Sequence, residues 1–166
     1  MTRVVQIVNR SIRFLEIFLV SGGILLIAAS VILNVICRHL NIIFVGLNEV
    51  ALWGVIWVTF FGTAICARRG IHISMSALVN RLPLKPRKLV VSIICLITGL
   101  FSLFFAFLGW QLTASTIMRG QVSAALRIPL WFFYISAPIG FLLTGIYFCL
   151  AFLRNIREKG VYLGIE

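Results

Sequence analysis

Charge is what this sequence has least of. Only 11% of its 166 residues are charged and 61% are hydrophobic, whereas a soluble domain carries about 25% charged residues. That scarcity excludes a water-soluble domain and makes lipid the main solvent. Acidic residues are the rarest charges, four against 15 Lys and Arg, for a net charge of +11. The middles of the long apolar runs hold no ionisable acid or base, which removes the usual proton or ion path of a carrier. Paired thiols are absent too. Cys37, Cys66, Cys95 and Cys149 stand singly in or at the ends of apolar runs, as small packing residues do, and none forms C-x-x-C. This excludes a thiol oxidoreductase. His39 and His72 fall at opposite membrane faces, about 30 Å apart, so they cannot share a haem or a metal. No P-loop, dinucleotide motif or nucleophile–base set occurs. The expectation is a non-enzyme without a cofactor.

What the chain does have is four apolar runs, at about 17–37, 49–67, 89–110 and 130–153. Each is long enough to cross a bilayer core as a helix. The fold class is therefore an all-α membrane protein: one four-helix domain over 1–166, with short amphipathic interfacial segments. Val4 to Glu16 opens the chain amphipathically, as a surface helix or as the wet first turns of span one. The apolar run after it is too long for a signal-peptide core, so the first span is expected to stay in place. Arg38, His39 and Asn41 end span one, and Gly46 to Asn48 complete a turn. Arg68, Arg69 and Gly70 stop span two. His72 to Leu82 reads as an interfacial helix, broken by Pro83, with Pro86 starting span three. Gly120 to Pro129 forms the second outer connection, and Pro138 is expected to kink span four.

The basic residues set the orientation. Twelve Lys and Arg fall in the N-terminal tail, the middle loop and the C-terminal tail, and only Arg38, Arg119 and Arg127 fall in the other two loops. By the positive-inside rule both termini and the middle loop are cytoplasmic. Trp110, Trp131 and Tyr134 fall near the outer interface, where amphipathic rings prefer to sit. Basic clusters flanking apolar runs are topogenic and form no face for nucleic acid.

Span two carries the candidate contacts. Glu49 opens it, either as an acid favoured at a helix N-terminus or as a partner contact, with Arg38 as a possible pair. Trp53, Ile56 and Phe60 continue its stripe at helical spacing. The opposite stripe, Ala51, Gly54, Val58 and Gly62, is small and suits close helix approach in lipid. The bulky stripe Glu49, Trp53, Ile56 and Phe60 is thus expected to meet a larger membrane partner, with the small stripe packed inside the chain. Glu16, at the cytoplasmic edge among polar residues, is expected to be dispensable.

Three stretches together resemble a known family: Asn34 to His39; Asn48-Glu49 with Gly62 and Ala67-Arg68-Arg69-Gly70-Ile71-His72-Ile73; and Ser123-Ala124-Ala125-Leu126-Arg127-Ile128-Pro129-Leu130-Trp131 followed by Tyr134, Pro138 and Gly140. The chain is similar to the small membrane subunit of TRAP (tripartite ATP-independent periplasmic) transporters. That family often opens span two with Trp and two acids; here Asn48 replaces one acid and the Trp is absent. The resemblance implies a subunit of the bacterial inner membrane. Its partners would be lipid, a large membrane subunit holding the sodium and substrate sites, and a periplasmic binding protein. The substrate would be an organic acid such as a sialic acid, a dicarboxylate or a sulfonate. The small subunit would be the fixed scaffold of this symporter, with Arg38, Arg119 and Arg127 available to dock the binding protein. The alternative is a four-span multidrug exporter working as a homodimer around a membrane carboxylate, a role for which Glu16 could be offered although it sits at the cytoplasmic edge.

Overall fold

Each apolar run folds as a helix because a chain in lipid must satisfy its backbone polar groups internally. The computed structural model describes residues 3–42, 46–70 and 84–157, with side chains for 11–42, 46–70 and 86–157. The helices are α1 (Arg3–His39), α2 (Gly46–Arg69), α3 (Leu84–Met118), α4 (Trp131–Tyr134) and α5 (Ser136–Arg157). Four stretches are long and apolar enough to cross a membrane: Ser11–His39, Gly46–Arg69, Pro86–Met118 and Trp131–Arg157.

The helix ends follow capping chemistry. Asn41 closes α1 in the left-handed region (φ 57), and Ile42 N–H donates to the Cys37 carbonyl at 2.9 Å. Gly120 does the same after α3 (φ 59), where no Cβ opposes that conformation. Gly70 (φ 66) follows the last turn of α2.

Several expected boundaries shift. The amphipathic opening is continuous with span one, so α1 is a single helix of 37 residues, about 55 Å at 1.5 Å per residue. Gly46 to Asn48 form the first turn of α2 rather than a connecting turn. Arg68 lies in the last turn of α2 and is fully buried, not in a solvated loop. The last span is divided at Ile135, between α4 and α5, three residues before Pro138, although Ile135 keeps helical dihedrals and its N–H donates to the Trp131 carbonyl at 3.0 Å. The expected interfacial helix at 72–82 and His72 lie outside the described residues.

By internal contacts the chain divides into two compact units, Met1–Gly62 with Trp110–Ala137, and Thr63–Gly109 with Pro138–Glu166. The second unit has a close-packed core of Ala64, Ala67, Val91, Cys95, Tyr147, Phe148 and Ala151. Its helices approach closely where glycine permits. A Cβ on Gly145 would lie 2.8 Å from Leu103, and one on Gly99 would lie 3.1 Å from the Cys149 sulfur. The Arg68 guanidinium lies 5.7 Å from the centre of the Tyr147 ring, within cation–π range. Cys95 is part of the core and all four thiols are free.

In the first unit α1 and α2 meet along a reciprocal seam. A Cβ on Gly23 would lie 2.5 Å from Val58, and one on Gly54 would lie 2.6 Å from Ile27. The small stripe of α2 thus packs inside the chain at Gly54 and Val58. Gly62 does not take part, because nothing lies within 4 Å of a Cβ placed there.

Candidate functional site

The connection after α3 folds into a small hairpin. Val122 and Pro129 form an isolated antiparallel bridge. Leu130 N–H donates to the Gln121 carbonyl at 3.0 Å, and Ser123 N–H donates to the Ile128 carbonyl at 2.9 Å. At the tip Arg127 N–H reaches the Ser123 carbonyl at 3.2 Å, which puts Arg127 in the left-handed region (φ 52). That conformation is unfavourable for a residue with a Cβ. A contact from outside the hairpin adds to the bonds that close the tip.

Glu49 supplies that contact. It stands in the first turn of α2, where the helix N-terminus favours an acid. Its carboxylate accepts hydrogen bonds from the Ser123 hydroxyl, from Ala125 N–H at 2.9 Å and from Leu126 N–H at 3.2 Å. Hydrogen bonds to an ionised acceptor are the strong kind, and three donors converging on one carboxylate fix the tip in position. Arg38 is exposed at the end of α1. Beside Glu49, Asn48 accepts a hydrogen bond from the Asn34 amide of α1. Asn48 thus serves a neutral amide contact between α1 and α2.

The next turns of α2 extend the contact with rings. Trp53 stacks on Phe133 of α4, with centroids 3.9 Å apart and planes at 16°. Trp57 meets Phe132 at 5.7 Å and Phe61 at 5.5 Å. Glu49, Trp53 and Trp57 follow one another at four-residue spacing, so one column of α2 binds the hairpin and the short helix after it. An apolar groove of about 630 Å³ lies beside this column, floored by Gly22 and Gly23 of α1 and walled by Trp53, Trp57 and Phe132.

The expected partner stripe therefore divides. Glu49 and Trp53 are engaged inside the chain, while Ile56 and Phe60 are half-buried. The exposed face of α2 instead carries Leu52 and Val55. Arg38, Arg119 and Arg127, the three expected docking cations, are all exposed. Glu16 corrects its expectation: it is fully buried, not among surface-facing polar groups. The sequence showed Glu49 and the Ser123–Trp131 stretch separately and did not join them. The available signal was chemical: an acid at the edge of lipid needs donors, and a serine with free loop amides was expected on the same membrane side.

Among the described residues no cluster of His, Cys, Asp or Glu could hold a metal ion. The arrangement ties the start of α2 to the hairpin. Residues 27–158 match the family of tripartite ATP-independent periplasmic transporters, DctQ component. The chain belongs to this family. It is 33% identical over 152 residues to the ectoine TRAP transporter small permease protein TeaB of Halomonas elongata, covering 90% of this chain and 78% of that one. It is 27% identical over 113 residues to the C4-dicarboxylate TRAP transporter small permease protein DctQ of Rhodobacter capsulatus, covering 68% of this chain and 49% of that one. No solved structure gives a significant match. The chain is thus a multi-pass small permease subunit of a TRAP transporter and not an enzyme, which decides against the homodimeric exporter. In this small permease subunit, the Ser123–Trp131 stretch that carries the family likeness is the stretch that Glu49 latches.

Proposed function

We propose that this small permease subunit is the stationary scaffold of a sodium-coupled importer and docks its periplasmic binding protein through the latched hairpin. The observation that carries the reading is the Glu49 carboxylate held by Ser123, Ala125 and Leu126, with Arg127 exposed in the same hairpin and Arg119 exposed just after α3. A docking surface works best when preformed, because ordering a loop on binding subtracts from affinity. Exposed cations on a fixed loop steer an acidic partner and act mainly on encounter rate. The substrate is a small carboxylate-bearing solute, in keeping with the ectoine and C4-dicarboxylate named for its relatives. The hairpins face the periplasm and both termini face the cytoplasm, on the charge distribution of the sequence.

The large transport subunit meets α2 on Ile56, Phe60 and the adjacent exposed Leu52 and Val55, with Glu49 and Trp53 of the same stripe engaged by the hairpin and α4. In lipid such contacts rest on shape and a few polar groups rather than on hiding apolar surface. Cysteine at Leu52 or Phe60, with the native cysteines removed, should cross-link to the large subunit.

The test of docking is uptake by the reconstituted complex as a function of binding-protein concentration. Reversing Arg119 and Arg127 to Glu should raise the concentration giving half-maximal uptake several-fold and leave the saturated rate close to normal. Arg127→Gly removes one charge and suits the left-handed turn, so it should show a smaller shift in the same direction. A charge-reversed subunit with an unchanged concentration dependence would remove the hairpin from docking.

A further inference from the structure

A second groove, in the unit formed by Thr63–Gly109 and Pro138–Glu166, has both chemical halves of a phospholipid site. It holds about 450 Å³ between α3 and α5. Its polar lining is Lys88, Ser92 and Asn155, and its apolar lining includes Ile93, Leu96 and Phe152. Lys88, Ser92 and Leu96 succeed one another at four-residue spacing, so the lining passes from cation to hydroxyl to hydrocarbon over about 12 Å of helix. That is the polarity profile of a headgroup followed by the start of an acyl chain.

Among the described residues, the charges on α3 and α5 have one sign. Arg87 precedes Lys88 in α3, and Arg154 and Arg157 lie in the last turn of α5. Neither helix contains an acid. The Arg87 Nε is buried and has no hydrogen-bond partner among the described residues. One cation, Lys88, lines the groove, beside Ser92 and Asn155 and above its apolar part, which suits a ligand that carries a phosphate above hydrocarbon. Basic pockets between transmembrane helices recognise anionic headgroups by this combination. A zwitterionic lipid would fit the same hydrocarbon but gain less from Lys88.

We propose that this groove binds one anionic phospholipid, with its phosphate at Lys88 and an acyl chain along Ile93, Leu96 and Phe152. The assignment is independent of how the subunit contributes to transport.

Native mass spectrometry of the full-length chain in detergent micelles tests it, with phosphatidylglycerol and phosphatidylcholine of identical chains added in turn. The wild type should retain phosphatidylglycerol about fivefold better than phosphatidylcholine, the effect of one basic residue at a membrane surface. Lys88→Gln should bring that ratio close to one. Leu96→Trp leaves every charge in place and fills the apolar part of the groove, so it should lower retention of both lipids. Undiminished phosphatidylglycerol retention in Leu96→Trp would mean that diffuse charge holds the lipid, and would overturn the site. The complex with the large subunit supplies the other decisive outcome. Loss of the lipid adduct there, with Ile93→Cys cross-linking to the large subunit, would assign the groove to protein and overturn the proposal.

Discussion

The α1–α2 seam makes a prediction whose sign differs between glycines on the same two helices. A Cβ on Gly23 would lie 2.5 Å from Val58 Cγ2, and a Cβ on Gly54 would lie 2.6 Å from Ile27 Cγ1. Neither neighbour is the end of a flexible chain: Val58 is branched at Cβ, and Ile27 Cγ1 carries a further methyl. Nothing lies within 4 Å of a Cβ on Gly22 or on Gly62. Overpacking a fitted contact costs about 1–3 kcal/mol, and replacing glycine by alanine within a helix returns about 0.5–1 kcal/mol. The pair Gly23→Ala/Gly54→Ala should therefore lose about 1–4 kcal/mol, less than twice the single effect, because one small separation of the helices relieves both clashes. The pair Gly22→Ala/Gly62→Ala should gain about 1 kcal/mol. The readout is the thermal unfolding midpoint of the full chain in nanodiscs, where about 2–4 °C per kcal/mol is expected for a chain of this size. Adding Ile27→Ala to Gly54→Ala removes the clashing carbons and should restore part of the loss. Equal midpoints for the two alanine pairs would refute the seam.

Other outcomes follow from the latch and the buried charges. Glu49→Gln places an amide where two backbone N–H groups need an acceptor, so hydrogen exchange at Ala125 and Leu126 should accelerate well beyond that at Ser123, whose N–H bonds to Ile128. Unchanged exchange at Ala125 and Leu126 would show that the carboxylate does not hold the tip. Glu16→Ala should lower stability by about 1–3 kcal/mol, since a fully buried polar group that loses its place leaves a desolvated site behind; neutrality there would return Glu16 to the surface. A reporter fused after Glu166 should be active only in a cytoplasmic form, and periplasmic activity would overturn the charge argument.

The helices were legible because lipid imposes one rule at every position, and the four apolar runs obey it without exception. Close approach at Gly54 was legible for the same reason, since small residues are what helices use when burial offers no gain. Gly62 shows where that reasoning stops. It shares the stripe and faces open space, because which glycine meets a neighbour depends on the crossing point of two helices, and one helix alone does not encode it. Glu16 shows a second limit. Its polar neighbours in sequence suggested a wet face, but a helix as long as α1 carries residues from the same turn into different surroundings. The latch was half legible: the residue types were in view, but the pairing of Glu49 with Ser123 joins positions more than seventy apart, and no local pattern specifies it.

Burial itself carries a different meaning in this chain. In the most apolar stretch of span one only 6% of residues are buried within the protein, against 44% in the last span. In water a helix so poorly covered would be lost. In lipid its backbone is satisfied internally and its Leu and Ile side chains meet a solvent as apolar as themselves. What fixes α1 therefore includes a short series of specific contacts, Gly23 on Val58, Ile27 on Gly54 and the amide of Asn34 on Asn48, besides the buried Glu16. The same reasoning extends outward. Exposed Phe and Leu on α1 and α3 do not by themselves mark a partner surface, because lipid already covers them without cost. On the function proposed above, a large subunit would be recognised where shape or polarity departs from lipid. In the first unit those departures are concentrated on α2 and the hairpin it latches, so that is where mutations should separate assembly of the transporter from folding of the subunit.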